Sequence, residues 1–128
     1  MIKGTGIDVV SIAKIEQILR DHRERFLNRI YTEKEVEYCR AKANPAIHYA
    51  GGFAAKEAAY KSISTVIDVL RWKDIEVCRN QKGKPSIMLH GPTLELCSKA
   101  GIAGIIVSIS HSDDVAVAQC IAVSEPVQ

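Results

Sequence analysis

Helical patterns crowd the first half of this 128-residue chain and β patterns the second, which fits an α+β domain. Two observations carry that expectation. From Ser11 to Lys61, apolar residues recur at helical spacing behind capping signals, and from Trp72 to Val123 apolar runs are broken by short polar stretches at hairpin distance. In order, Ile2 to Val10 reads as a strand. Ser11 is placed to cap a helix whose apolar side is Ile12, Ile15, Ile18, Leu19 and Phe26. Thr32-Glu33-Lys34-Glu35 fits a capping box that opens a short helix, which stops before Asn44-Pro45. Pro45 then begins the helix that contains Phe53 to Lys61. Within it Ala54 with Ala58 and Ala55 with Ala59 form small-residue rows, whose ordinary use is close packing of backbone. Trp72 to Cys78 and Ser86 to Leu89 flank the polar stretch Arg79 to Pro85 as a hairpin, and Thr93 to Ala100 is a short helix stopped by Gly101. Ile102 to Ile109 and Val115 to Val123 form a second hairpin, with Ser110-His111-Ser112-Asp113-Asp114 as its turn. Only the last few residues read as frayed.

Chemistry concentrates in two segments. Glu57 and Lys61 stand four residues apart and share one face of an alanine-lined helix. By itself such a pair is ordinarily a solvated surface pair that contributes roughly 0.3–0.5 kcal/mol. Its interest comes from Gly6-Ile7-Asp8-Val9-Val10, where one carboxylate interrupts an apolar β-branched run that otherwise reads as a buried strand. A carboxylate so placed needs a partner or a shifted pKa, and a turn amide meets that need as well as a metal does. Two carboxylates and a lysine suit a metal–phosphate site. A hard divalent ion such as magnesium takes one or two carboxylates, keeps waters and binds phosphate oxygens, while an ammonium neutralises the remaining charge.

Composition bounds the alternatives. The length suits one compact domain with one core. No apolar run reaches the ~18 residues of a membrane span, and no basic-then-apolar leader follows Met1, so a cytoplasmic protein with no membrane partner is expected. Cys39, Cys78, Cys97 and Cys120 show no C-x-x-C spacing, which points to reduced thiols rather than zinc or a redox pair. The net charge of +2 is too small to imply nucleic-acid binding, and the six aromatic residues besides Trp72 are not interleaved with basic ones. The basic residues are nevertheless uneven. Arg20, Arg23, Arg25 and Arg29 crowd one stretch with Lys14 upstream, whereas Gly101 to Gln128 carries no lysine or arginine. A solvated helix face is the default account of such a cluster and a docking surface the alternative.

Taken together, Gly4-Thr5-Gly6-Ile7-Asp8-Val9-Val10, Tyr31-Thr32-Glu33, Phe53-Ala54-Ala55-Lys56-Glu57-Ala58, Trp72 to Val77, Gly83-Lys84-Pro85 and Ser108-Ile109-Ser110-His111-Ser112 occur in the order found in holo-[acyl-carrier-protein] synthases. The resemblance spans almost the whole chain. It implies one 4′-phosphopantetheinyl transferase domain over residues 1–128, an α+β fold with an antiparallel sheet packed against a long helix, and a homotrimer with active sites between subunits. It implies transfer of 4′-phosphopantetheine from coenzyme A to a serine of apo acyl carrier protein, in support of fatty acid biosynthesis. Asp8 and Glu57 resemble the family's magnesium (Mg2+) ligands and Lys61 its diphosphate contact; these three are the catalytic candidates. Ser110, His111 and Ser112 resemble contacts to the coenzyme A phosphates, and Gly83, Lys84 and Pro85 the hairpin loop beside the nucleotide. The basic first helix, above all Lys14, Arg20 and Arg25, resembles the surface that meets the acidic carrier protein. Two departures stand out. Gly51-Gly52 replaces an arginine that many members carry just before the Phe-Ala-Ala-Lys-Glu-Ala run, and Ser62 to Leu70 lacks the family's usual glycines. A catalytically silent coenzyme A-binding or scaffold protein is the competing expectation, against which the joint presence of Asp8, Glu57 and Lys61 argues.

Overall fold

The computed structural model describes residues 1–127. Its elements run β1 (Ile2–Ser11), α1 (Ile12–Ile30), α2 (Glu33–Arg40), α3 (Pro45–Ser62), β2 (Ile75–Arg79), β3 (Pro85–Leu89), α4 (Gly91–Lys99), β4 (Gly104–His111) and β5 (Val115–Val123). The strands β1, β5 and β4, in that order, form an antiparallel sheet, and β2 and β3 form a separate antiparallel hairpin. The helix α3 lies across the inner face of the sheet. Ala54, Ala55, Ala58 and Ala59 are wholly buried there against Ala118, Cys120 and Ala122 of β5, together with Ile105 and Val107 of β4. This is the α+β arrangement that the sequence implies.

The capping signals are realised. Lys14 N donates to Ser11 Oγ at 3.2 Å at the start of α1. Thr32 and Glu35 exchange bonds at the start of α2, with Glu35 N to Thr32 Oγ1 at 3.3 Å and Thr32 N to Glu35 Oε1 at 2.7 Å. Pro45 sits in the first turn of α3. Several details differ from the sequence reading, among them the second hairpin, where β4 starts at Gly104 and runs on to His111, so that Ser110 and His111 belong to the strand rather than the turn. Trp72–Asp74 forms a single 3-10 turn, so the strand begins at Ile75; α4 begins at Gly91, two residues before Thr93; and α1 is kinked at His22, with φ −142° and ψ 37°. The fraying expected at the C-terminus lies partly on Gln128, outside the described residues; Ser124 N still donates to Met1 O at 2.9 Å.

The small-residue rows of α3 serve packing. A Cβ at Gly4 or Gly6 would overlap the carbonyl oxygen of Ser62 or Ala58, respectively. Glycine at both places lets β1 lie directly on the α3 backbone. Alternation then puts Gly4, Gly6 and Asp8 on the helix side and Ile7 and Val9 on the other. The buried strand read from the sequence is therefore reversed in part: Ile7 and Val9 are 58% and 60% exposed. The segment after α3 needs no glycine either. Ile63 and Ile67 are buried, Ile67 N donates to Ile63 O at 3.1 Å, and among the described residues no non-glycine residue has positive φ.

Candidate active site

The contact between β1 and α3 brings Asp8, Glu57 and Lys61 together. Lys61 Nζ donates to Asp8 Oδ1 at 3.2 Å and to Ile7 O at 3.0 Å. The Lys61 side chain is 49% exposed while that of Asp8 is 15% exposed, so the pair opens outward from the lysine side. Glu57, half-buried one turn back on α3, has its carboxyl pushed above the ordinary range by burial, then by the Asp8 charge, against the opposing pull of Lys61. The Asp8 carboxylate thus acts on Glu57 while pairing with the Lys61 ammonium, so two carboxylates and one ammonium share this site. Among the described residues no group of three or more His, Cys, Asp or Glu is arranged to hold a metal.

The other candidates lie beyond β5, on the β4 side of the sheet. Asp8 pairs with Ala118 of β5, and Ala118 with Ile109 of β4, so β1 and β4 are on opposite sides of the central strand. His111 ends β4 and is exposed, its Nδ1 3.4 Å from Ser112 O. The Ser112 hydroxyl accepts from Asp114 N and Val115 N, both at 3.2 Å, and so closes the turn. Ser110 is exposed on the outer face, paired with Val117. Gly83 has φ +81°, which a glycine adopts without strain, and completes a turn in which Asn80 Oδ1 accepts from Lys82 N and Lys84 N, both at 2.9 Å. That hairpin loop divides two clefts. Gly83 and His111 line one, together with Lys42, His48, Arg79 and Lys82; Lys84 and Pro85 line the other, against Ile106 and Val107.

Sequence reasoning missed the role of Lys56. This lysine is wholly buried and donates to Trp72 O at 2.9 Å and Ile75 O at 2.7 Å, while its ammonium lies 2.8 Å from Glu35 Oε1. Glu35 Oε2 also accepts from Val77 N at 2.7 Å. Thr32 Oγ1 donates to Glu76 Oε2 at 2.6 Å, and Glu76 Oε1 is 3.0 Å from His90 Nε2. The network ties α2, α3 and β2 together through the residue next to Glu57 in the chain. The available signal was a charged residue among alanines, one position from the outward-facing Glu57. At Gly52 a Cβ would meet Tyr31 Cε1 at 3.5 Å, an ordinary contact, so space alone does not demand glycine there.

The sequence profile of the 4′-phosphopantetheinyl transferase superfamily matches residues 4–120. The chain is 42% identical over 122 residues to a holo-[acyl-carrier-protein] synthase of Geobacter sp. (strain M21), covering 94% of this chain and 98% of that protein. Among solved structures, the holo-[acyl-carrier-protein] synthase of Neisseria meningitidis superposes with a TM-score of 0.84 at 31% identity, covering 95% of this chain and 98% of that one. The Helicobacter pylori synthase, solved in complex with coenzyme A, gives 0.80 at 32% identity over 93% and 99%. The chain belongs to the holo-[acyl-carrier-protein] synthase family of these transferases.

Proposed function

We propose that this protein transfers 4′-phosphopantetheine from coenzyme A to a serine of apo acyl carrier protein, releasing adenosine 3′,5′-bisphosphate, in support of fatty acid biosynthesis. The observation that carries the reading is the convergence of Asp8, Glu57 and Lys61 where β1 crosses α3, in a chain whose relatives are synthases of this kind. The donor set fits magnesium, because two converging carboxylates leave the remaining positions to water and phosphate oxygens. When bound between Asp8 and Glu57, that ion would neutralise charge on the diphosphate.

The chain's own residues supply the rest. An ammonium has three donors, and Lys61 spends two on Ile7 O and Asp8 Oδ1. Its third donor is free for a diphosphate oxygen, where negative charge grows as the leaving phosphate departs. The serine oxygen forms a bond to the pantetheine-side phosphorus as the bond from that phosphorus to the bridging oxygen breaks. Glu57, whose proton affinity is already raised, receives the serine proton.

A homotrimer, with active sites between subunits, is part of the proposal. Two features support it: the outer sheet face presents Ile7, Val9 and the 45% exposed Ile106, and the Asp8–Lys61 pair and the cleft under His111 lie toward different edges of one sheet. A second copy across that face would bring one set to the other. Coenzyme A would then meet Lys61 on one subunit and Gly83, Lys84, Pro85, Ser110, His111 and Ser112 on its neighbour. The carrier protein would dock on α1, where Lys14, Arg20 and Arg25 are exposed and form no ion pair among the described residues. We place the protein in the cytoplasm; no helix of the described residues is long and apolar enough to cross a membrane.

Mass spectrometry of an apo carrier protein incubated with this protein, coenzyme A and magnesium tests the reaction. A gain of one phosphopantetheine, abolished by chelation, is expected. No gain with a folded carrier would overturn the reading.

A further inference from the structure

Lys61 is the last residue but one of α3, where the helix has no further turn to accept from. Helix ends fray, yet the ammonium has to stay on Ile7 O and Asp8 Oδ1 for its third donor to face a phosphate. The chain past Lys61 shows how that end is fixed. Ser62 Oγ donates to Ala59 O at 2.6 Å, Ile63 N to Tyr60 O at 3.1 Å and Ser64 Oγ to Lys61 O at 3.0 Å, so the carbonyls of the last turn as far as Lys61 are taken. Val66 N and Ile67 N then donate to Ile63 O at 2.9 and 3.1 Å, and Ile63 and Ile67 are buried in the core.

One further bond closes this segment back onto the helix. Tyr60 directly precedes Lys61, packs its ring against the core and donates its hydroxyl to Asp68 O at 3.1 Å. Lys61 therefore lies inside the loop that the bond closes. Burial of Ile63 and Ile67 draws the segment inward without fixing its direction, whereas a hydroxyl–carbonyl bond is directional. Asp68 contributes its backbone carbonyl; its carboxylate forms no ion pair among the described residues. Ser62 to Leu70 contains no glycine, and among the described residues no non-glycine residue has positive φ, so these bonds rather than glycine turns set the path.

We propose that Tyr60 is a positioning residue for the transfer: its bond to Asp68 O closes the segment after α3, keeps the last helical turn from opening and so holds Lys61 against Asp8. The inference rests on the role given to Lys61 above. Without the bond, fewer molecules have Lys61 in place, and the rate falls by no more than the factor that the bond contributes. Charge at the diphosphate grows in the transition state, so the loss falls on kcat rather than on coenzyme A binding.

Tyr60→Phe keeps the ring and removes the hydroxyl. Transfer from coenzyme A to an apo carrier protein, followed by mass spectrometry, should show kcat lowered about 2- to 10-fold, the net contribution of one neutral hydrogen bond, with KM for coenzyme A nearly unchanged. Amide hydrogen exchange at Ser64, Val66 and Ile67 should quicken. Asp68→Ala, which leaves the accepting carbonyl in place, should keep the parental kcat. In a Lys61→Ala background, Tyr60→Phe should cause no further loss. A parental kcat or unchanged exchange in Tyr60→Phe, a matching loss in Asp68→Ala, or an equal fold-loss in both backgrounds overturns the positioning role and leaves the transferase reading intact. A folded parent that transfers nothing overturns both.

Discussion

Replacing Lys56 by methionine should cost the fold about 3–5 kcal/mol, the range for removing one partner of a buried ion pair. The structure shows where that cost arises. Lys56 is wholly buried, and its ammonium meets Trp72 O at 2.9 Å, Ile75 O at 2.7 Å and Glu35 Oε1 at 2.8 Å. Methionine has similar reach but no donor, so two carbonyls lose a partner and a buried carboxylate loses its counter-charge. Glu35 keeps the amides of Thr32 and Val77, which hold its position without neutralising it. Adding Glu35→Gln should therefore recover a substantial part of the loss, with a coupling of roughly 1–3 kcal/mol. Urea denaturation of the parent, both single variants and the double variant measures each quantity. Below its transition, folded Lys56→Met should still transfer phosphopantetheine. A cost under about 1 kcal/mol would refute the structural role, and a fully folded but inactive variant would show that Lys56 touches the reaction.

Gly6→Ala forces a methyl onto Ala58 O and within 2.8 Å of Lys61 Cβ; thermal melting should show a loss of about 1–3 kcal/mol, accompanied by lost transfer, and a parental melting temperature would sink the close-packing account. Glu57 keeps a proton in the folded state that the unfolded chain has already released, so it costs stability as pH rises from the ordinary carboxylate range through its raised value. Without magnesium, Glu57→Gln should be more stable than the parent at pH 7 by up to ~1 kcal/mol. The difference should vanish below about pH 4, where both states hold the proton; equal stability at every pH would refute the raised proton affinity. Lys61→Ala should lower kcat more than it raises KM for coenzyme A, since its free donor meets charge that grows in the transition state; a change in KM alone would make it a uniform binding group. Arg20→Glu with Arg25→Glu should raise KM for the carrier protein several-fold, leave that for coenzyme A nearly unchanged and flatten the salt dependence; no change would return α1 to a solvated face.

Short-range signals were the legible part of this chain. Ser11, Thr32 with Glu35, Pro45 and Gly101 each act on backbone within a few residues, and each does locally what its chemistry dictates. What depended on distant partners was not legible. Trp72 has strand propensity, but the carbonyls of Trp72 and Ile75 are turned toward Lys56 of α3, and the chain there forms a 3-10 turn. Propensity carries no information about a lysine sixteen residues earlier. Glu35 read as half of a capping box, which it is, but its second oxygen on Val77 N and its pairing with Lys56 belong to the tertiary fold.

The candidate site divides along the same line. A carboxylate in an apolar strand and an acid and base one helical turn apart marked Asp8, Glu57 and Lys61 from sequence. Their meeting depends on something less conspicuous. Gly4 and Gly6 remove the side chains that would hold β1 away from α3, and the two-residue alternation of a strand then turns Asp8 toward Lys61 while it turns Ile7 and Val9 outward. One geometric choice thus produces both the carboxylate–lysine surface and the apolar face on the opposite side of the strand. In the proposed trimer, a second copy of the chain would cover Ile7 and Val9. Under that proposal, the register that turns Asp8 toward Lys61 would also prepare the face through which a neighbouring subunit delivers the cationic cleft.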